Sequence, residues 1–150
     1  TAEIESLRVD NAASKEVAVG GYDAYEVSFT LKPQFEGKTK VTLCNACGEK
    51  FSLEFDTENM TVLADRSESG KMTRIKSFVL MPAAPLGLCT SSDGYDVDVF
   101  VDKCSVEVFV DGGRIAMTNL VFPSESFDNI VFESTGESEI SNMFIHKIGK

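Results

Sequence analysis

Four cysteines, one histidine and 24 carboxylates are the side chains of this 150-residue sequence best suited to chemistry. Cys44-Asn-Ala-Cys47 has the two-residue spacing of a zinc knuckle or a redox pair, but no second pair follows. Cys89 and Cys104 lie far apart, and structural zinc takes four closely organised nitrogen or sulfur ligands. The cysteines therefore read as small buried thiols or as one hairpin disulfide at 44–47, and no metal is expected. His146 sits among Phe144, Ile145 and Lys147, the neighbours of a strand residue rather than of a triad base. There is no G-x-S-x-G elbow and no phosphate-cradling glycine loop. Gly20-Gly21 and Gly112-Gly113 are pairs that suit turns, and no cofactor is expected. Asp93-Gly-Tyr-Asp-Val-Asp98 departs from the spacing of an EF-hand and lacks its bidentate glutamate, which leaves a weak cation site at Asp96 and Asp98 as an open reading. Carboxylate pairs are so plentiful in an acidic β protein that counting them singles out no glycosidase dyad.

The chain that carries these groups is of single-domain length, with 43% apolar and 25% charged residues. That composition excludes a disordered tail, a collagenous rod and a coiled coil. A formal charge of -10 repels phosphate, so neither nucleic acid nor an anionic membrane is an expected partner. No stretch approaches the roughly 20 apolar residues of a membrane helix. The sequence opens on Thr1 with no basic and apolar leader, as a processed chain or an excised module would.

Strands are expected from end to end. Ala24 to Leu31 alternates, with Tyr25, Val27, Phe29 and Leu31 on one face, and Pro33 breaks it before a polar loop from Gln34 to Lys38. Thr39 to Cys44 and Phe51 to Phe55 flank Asn45-Ala-Cys-Gly48, a turn in which glycine makes a positive φ inexpensive. Met60 to Ala64, Met72 to Met81, Asn129 to Ser134 and Ile140 to Ile148 are further candidates. Turn residues recur about every ten positions, as in all-β sandwiches and barrels. From Asp96 to Thr118 the register follows from the turns. With Lys103-Cys104 as a two-residue loop, Val101 faces Val106, Val99 faces Val108 and Val97 faces Val110. With Gly112-Gly113 as the next loop, Ile115 and Met117 join the same face. The valine face is then the buried one. The other carries Asp96, Asp98, Phe100, Asp102, Ser105, Glu107, Phe109 and Asp111, with Arg114 opposite Asp111. That mixture suits a solvated sheet, a cation site or one wall of a carbohydrate groove.

Asp102-Lys-Cys-Ser-Val-Glu-Val-Phe-Val-Asp-Gly-Gly-Arg114 resembles V-D-x-S-S-V-E-V-F-V-N-D-G, a segment of the C-terminal β-sandwich of glycoside hydrolase family 32. That family holds the levanases, inulinases and invertases. Met60-Thr-Val-Leu-Ala-Asp-Arg-Ser-Glu-Ser-Gly70 is similar to that domain's L-x-V-D-R-S-x-S-G, and Glu3-Ile-Glu-Ser-Leu-Arg8 to its opening E-L-x-x-L-R. The three segments occur in the family's order and span nearly the whole chain. The resemblance implies an all-β fold, a two-sheet antiparallel β-sandwich arranged as a concanavalin-like jelly roll. It further implies that residues 1–150 form a single module, excised from a larger fructan-active glycosidase that works outside the cell or at its surface.

The family's catalytic segments, W-x-N-D-P-N-G, R-D-P and E-C, lie on a separate propeller, and none occurs in this sequence, which has no tryptophan. The isolated chain is therefore expected not to be an enzyme. Two roles remain: a module that binds fructan or terminal fructose, as in carbohydrate-binding module family 66, or a structural partner braced against the catalytic propeller. The polar residues matching the motifs are Asp65, Arg66, Asp102 and Glu107. The resemblance implies either carbohydrate binding by these four or an internal arginine–carboxylate brace. Without tryptophan, a stacking platform would have to come from Tyr22, Tyr25, Tyr95 or a phenylalanine.

Overall fold

A computed structural model describes residues 2–9, 15–19, 24–33, 37–68, 84–85, 94–111, 115–121, 123, 125–135 and 138–148. No helix occurs among them, and none is therefore long and apolar enough to cross a membrane. The described strands form two antiparallel six-stranded sheets. The first runs in the order β1 (Ala2–Val9), β12 (Ser138–Lys147), β3 (Tyr25–Pro33), β8 (Tyr95–Val101), β9 (Ser105–Val110) and β10 (Ile115–Leu120). The second runs β2 (Lys15–Ala18), β11 (Asn129–Ser134), β4 (Lys38–Cys44), β5 (Lys50–Asp56), β6 (Thr61–Glu68) and β7 (Ala84–Pro85). The expected strand over Met72 to Met81 and the Gly20-Gly21 and Gly112-Gly113 turns lie outside the described residues.

The meander has the register that its turns dictate. Val97 pairs with Val110, Val99 with Val108 and Val101 with Val106, and Ile115 and Met117 face Val110 and Val108. All six valines are buried. They meet Val41, Leu43, Phe51, Leu53, Phe55, Ile130 and Phe132 of the second sheet in one core, each side chain contributing roughly 1.5–3 kcal/mol before entropy. Among the described residues, two aromatic contacts span the layers. Phe29 of β3 meets Phe132 of β11 edge-on at 5.6 Å, and Tyr95 of β8 stacks on Phe55 of β5 at 6.3 Å.

Three local features depart from simple alternation. In β12 the register shifts between Ser141 and Phe144, and Asn142 takes φ 52. This bulge lets Ile140, Met143 and Ile145 all face the core, although their numbers differ in parity. β3 runs two residues past Leu31 and ends at Pro33, which still stands opposite Ser138. Gly94 has φ 109, and a Cβ there would stand 2.6 Å from the Leu31 carbonyl oxygen. The segment that resembled a calcium loop is thus where the chain presses against β3.

Candidate functional site

One end of the sandwich carries a cavity of about 290 Å³. It lies between the β8–β9 turn, which supplies Val101, Asp102 and Lys103, and the segment before β11, which supplies Pro123, Glu125, Ser126 and Phe127. Tyr25 of β3 lies beneath. Asp102, Lys103 and Glu125 are exposed at the rim, whereas Val101, Tyr25 and Phe127 are buried beneath it.

The turn is built by Asp102 itself. Its Oδ1 accepts the backbone N–H groups of Cys104 and Ser105, both at 2.9 Å, and its own N–H donates to the Ser105 carbonyl at 3.0 Å. The Cys104 N–H foremost, with further bonds from Ser105, holds the Asp102 carboxyl below the usual carboxylate range. The group is therefore an anion at neutral pH and a hydrogen-bond acceptor at the rim. The described part of the opposite wall has no strand of its own, so its polar backbone groups find partners elsewhere. Val121 N–H donates to the Cys104 carbonyl at 2.9 Å, and Asp128 N–H to the Cys44 carbonyl at 3.0 Å. The Tyr25 hydroxyl donates to the Phe127 carbonyl at 2.7 Å.

The four motif residues are distributed over both sheets. Asp102 edges the cavity. Glu107 is half-buried on the outer face of β9, across from Phe100 and Thr118. Asp65 is exposed on β6 in the second sheet, across from Ser52, and Arg66 follows it along that strand. The outer face of the first sheet is carboxylate-rich, with Thr30 donating to Asp96 at 2.8 Å. Burial first, then the Asp98 carboxylate beside it, push Glu26 above its ordinary value. Phe100 and Phe109 meet edge-to-face at 5.8 Å, each occupying the other rather than forming a flat platform. Tyr25 is fully buried and Tyr95 is stacked on Phe55, so neither serves as an exposed stacking ring. Tyr22 lies outside the described residues.

The cysteines differ from expectation. Cys44, Cys47 and Cys104 are free thiols, and there is no 44–47 disulfide. Cys47 and Cys104 are exposed rather than buried, because each falls in a tight loop between strands. Cys89 lies outside the described residues. Among the described residues, no group of three His, Cys, Asp or Glu side chains is arranged to hold a metal ion. His146 is an exposed strand residue on β12, opposite Glu26.

Sequence reasoning missed Glu125, Ser126 and Asn45. The Asn45 side chain reaches from the β4–β5 loop to the Glu125 carbonyl at 2.8 Å. Its only signal in the sequence was its place in a turn ending at Gly48, which has φ 79.

The fold and this end-on cavity define an all-β sandwich module with a concave polar site at one end. The chain belongs to the family described as "Glycosyl hydrolases family 32 C terminal", which it matches over residues 2–147. It is 25% identical to a levanase of Bacillus subtilis over 150 residues, 97% of this chain and 22% of that protein. It is 31% identical to a fructan beta-fructosidase of Streptococcus mutans over 105 residues, 68% of this chain and 7% of that protein. The chain thus spans less than a quarter of either relative. In structure it is similar to the exo-inulinase of Aspergillus awamori, with a TM-score of 0.76 and 24% identity, covering 99% of this chain and 29% of that one. At that identity the likeness speaks for the fold.

Proposed function

We propose that this chain is the non-catalytic accessory sandwich of a longer fructan-degrading enzyme and that it holds fructose-containing carbohydrate in the cavity beside Asp102. The observation that carries this reading is the chemistry of the cavity: carboxylates and an ammonium group around an apolar floor. Sugar hydroxyls pair with the charged rim, and a sugar C–H face packs on Pro123, the half-exposed apolar residue of the lining. A volume of about 290 Å³ suits one sugar ring rather than a long stretch of chain. The relatives named levanase and fructan beta-fructosidase indicate the class of carbohydrate. Such polymers are degraded outside the cell or at its surface, where the parent enzyme would work. Hydrolysis would belong to the catalytic propeller of that parent, since this sequence has none of the three catalytic segments. Tethered to a catalytic domain, a module of millimolar affinity still raises the local substrate concentration.

Isothermal calorimetry of the folded chain against levan, inulin, fructose and sucrose tests the reading, with Asp102→Ala and Arg66→Ala as comparison variants. Binding that Asp102→Ala weakens supports the cavity. Binding that survives it moves the site elsewhere. A folded wild type that binds none of the four leaves the sandwich as a structural brace for the propeller.

A further inference from the structure

We propose that Asn45 is the positioning residue of this cavity: from the opposite sheet it fixes the wall that presents Glu125 and Ser126 to a ligand. The proposal rests on the carbohydrate-binding reading for its consequence, but not for its geometry.

The wall lies between Leu120, the last residue of β10, and Asn129, the first of β11, and the described part has no ladder of its own. Its ties come from separate parts of the fold. The β8–β9 turn holds Val121, Tyr25 holds Phe127, and Asp128 is held through its N–H by Cys44 and through its carbonyl by the Val19 N–H at 2.8 Å. At Glu125, the middle of the wall, the tie is the Asn45 carboxamide. Through this residue the β4–β5 loop of the second sheet sets a rim that faces the first sheet's β8–β9 turn.

Asparagine is the residue that meets all the demands at this position. Its Oδ1 accepts from the Cys47 N–H at 3.0 Å and the Glu49 N–H at 3.2 Å, which closes the loop. Its Nδ2 donates to Glu49 Oε1 at 3.0 Å and to the Glu125 carbonyl at 2.8 Å. Two donors and both acceptor positions are used, the full capacity of a primary amide. Aspartate keeps the acceptor half and loses the donor half. Serine lacks the reach, and glutamine adds a carbon that displaces the group. A ligand hydrogen-bonded to the rim is sensitive to displacements well under a bond length, because hydrogen bonds weaken steeply as their geometry degrades.

The split between the two halves of the amide provides the test. Asn45→Asp retains the loop-closing acceptor and removes the donor to the wall, whereas Asn45→Ala removes both. Amide hydrogen exchange by NMR reads each half separately, and calorimetry with levan, inulin, fructose and sucrose reads the ligand. In Asn45→Asp the loop loses the bond to Glu49 Oε1 and gains a carboxylate beside it, so exchange at Cys47 and Glu49 should rise, but less than in Asn45→Ala. Exchange at Asp128 and Val19 should rise about fivefold, the factor for loss of one net hydrogen bond. Affinity for the carbohydrate that the wild type binds should fall by a similar factor. In Asn45→Ala all four amides should exchange faster. Wild-type exchange at Asp128 in Asn45→Asp overturns the proposal, as does unchanged affinity with a loosened wall. If the wild type binds none of the four carbohydrates, the functional reading falls, and the exchange rates alone decide whether Asn45 positions the wall.

Discussion

Replacing Tyr25 by phenylalanine removes one oxygen from a fully buried ring and leaves the packing of the ring unchanged. The cost is that the Phe127 carbonyl loses the donor that stands 2.7 Å away. A buried acceptor left without a partner costs about 1–3 kcal/mol. In a domain of this size each kcal/mol lowers Tm by about 2–4 °C, so a fall of about 2–12 °C is expected. The adjoining cavity gives water a route to the carbonyl, which favours the lower half of that range. The loss also has a pH signature. Burial first, then the Asp128 carboxylate and Cys44, push the Tyr25 phenol well above its ordinary value. A phenol raised on folding contributes its full stabilisation below its unfolded value of about 10, and that contribution fades as pH rises beyond it. Wild type should therefore lose stability above about pH 10 through a group that Tyr25→Phe lacks, and the gap between the two should narrow there. Urea unfolding followed by circular dichroism, at neutral pH and at about pH 10.5, measures both effects. Equal stabilities at neutral pH, or a gap that widens with alkali, would refute the argument.

Val108→Ala deletes two methyl groups from a fully buried position facing Val99 and Met117, and should cost about 2–3 kcal/mol by urea unfolding. Its neighbour Glu107→Ala, on the outer face, should stay within about 0.5 kcal/mol of wild type. Gly94→Ala forces a Cβ against the Leu31 carbonyl at positive φ and should cost about 2 kcal/mol or more, whereas Gly48→Ala, with open space around it, should cost about 1 kcal/mol. Thermal scans of the two glycine variants separate the clash from the strain of positive φ alone.

The meander was legible because its two turns and its valine parity had to agree. A slip of one residue would have turned every valine outward. The edges were not. β2 is four residues long, with Lys15, Glu16 and Ala18 exposed and Val17 only half-buried, so it carries no alternation to read. β7, at the far edge of the same sheet, is two residues long. β12 was read as a strand from Ile140 to Ile148, but the bulge at Asn142 changes the parity of its inward residues, so alternation did not show which of them face the core. Of the site, Asp102 was found through a motif, although the motif did not show that the carboxylate organises its own turn. Glu125 and Asn45 carry no local signature: the bond between them joins residues 80 positions apart. Tyr25 was readable as an inward ring of an alternating strand, and its buried hydroxyl bond rules out the platform role considered for it.

The pairing of β1 with β12 has a consequence for protein engineering. Ala2 stands directly across from Ile145, so the two outermost strands of the described chain bring its ends to adjacent places on one sheet, about 5 Å apart between backbones. A short bridge between residues 148 and 2 would close the polypeptide into a ring, and the exposed turn at Glu58 and Asn59 offers a place to cut it open again. Such a circular permutant would keep both sheets and the Asp102 cavity while moving the points of attachment to the far edge of β5 and β6. Fusing a catalytic domain there would show whether the direction in which the cavity faces that domain matters to its work on a polymer.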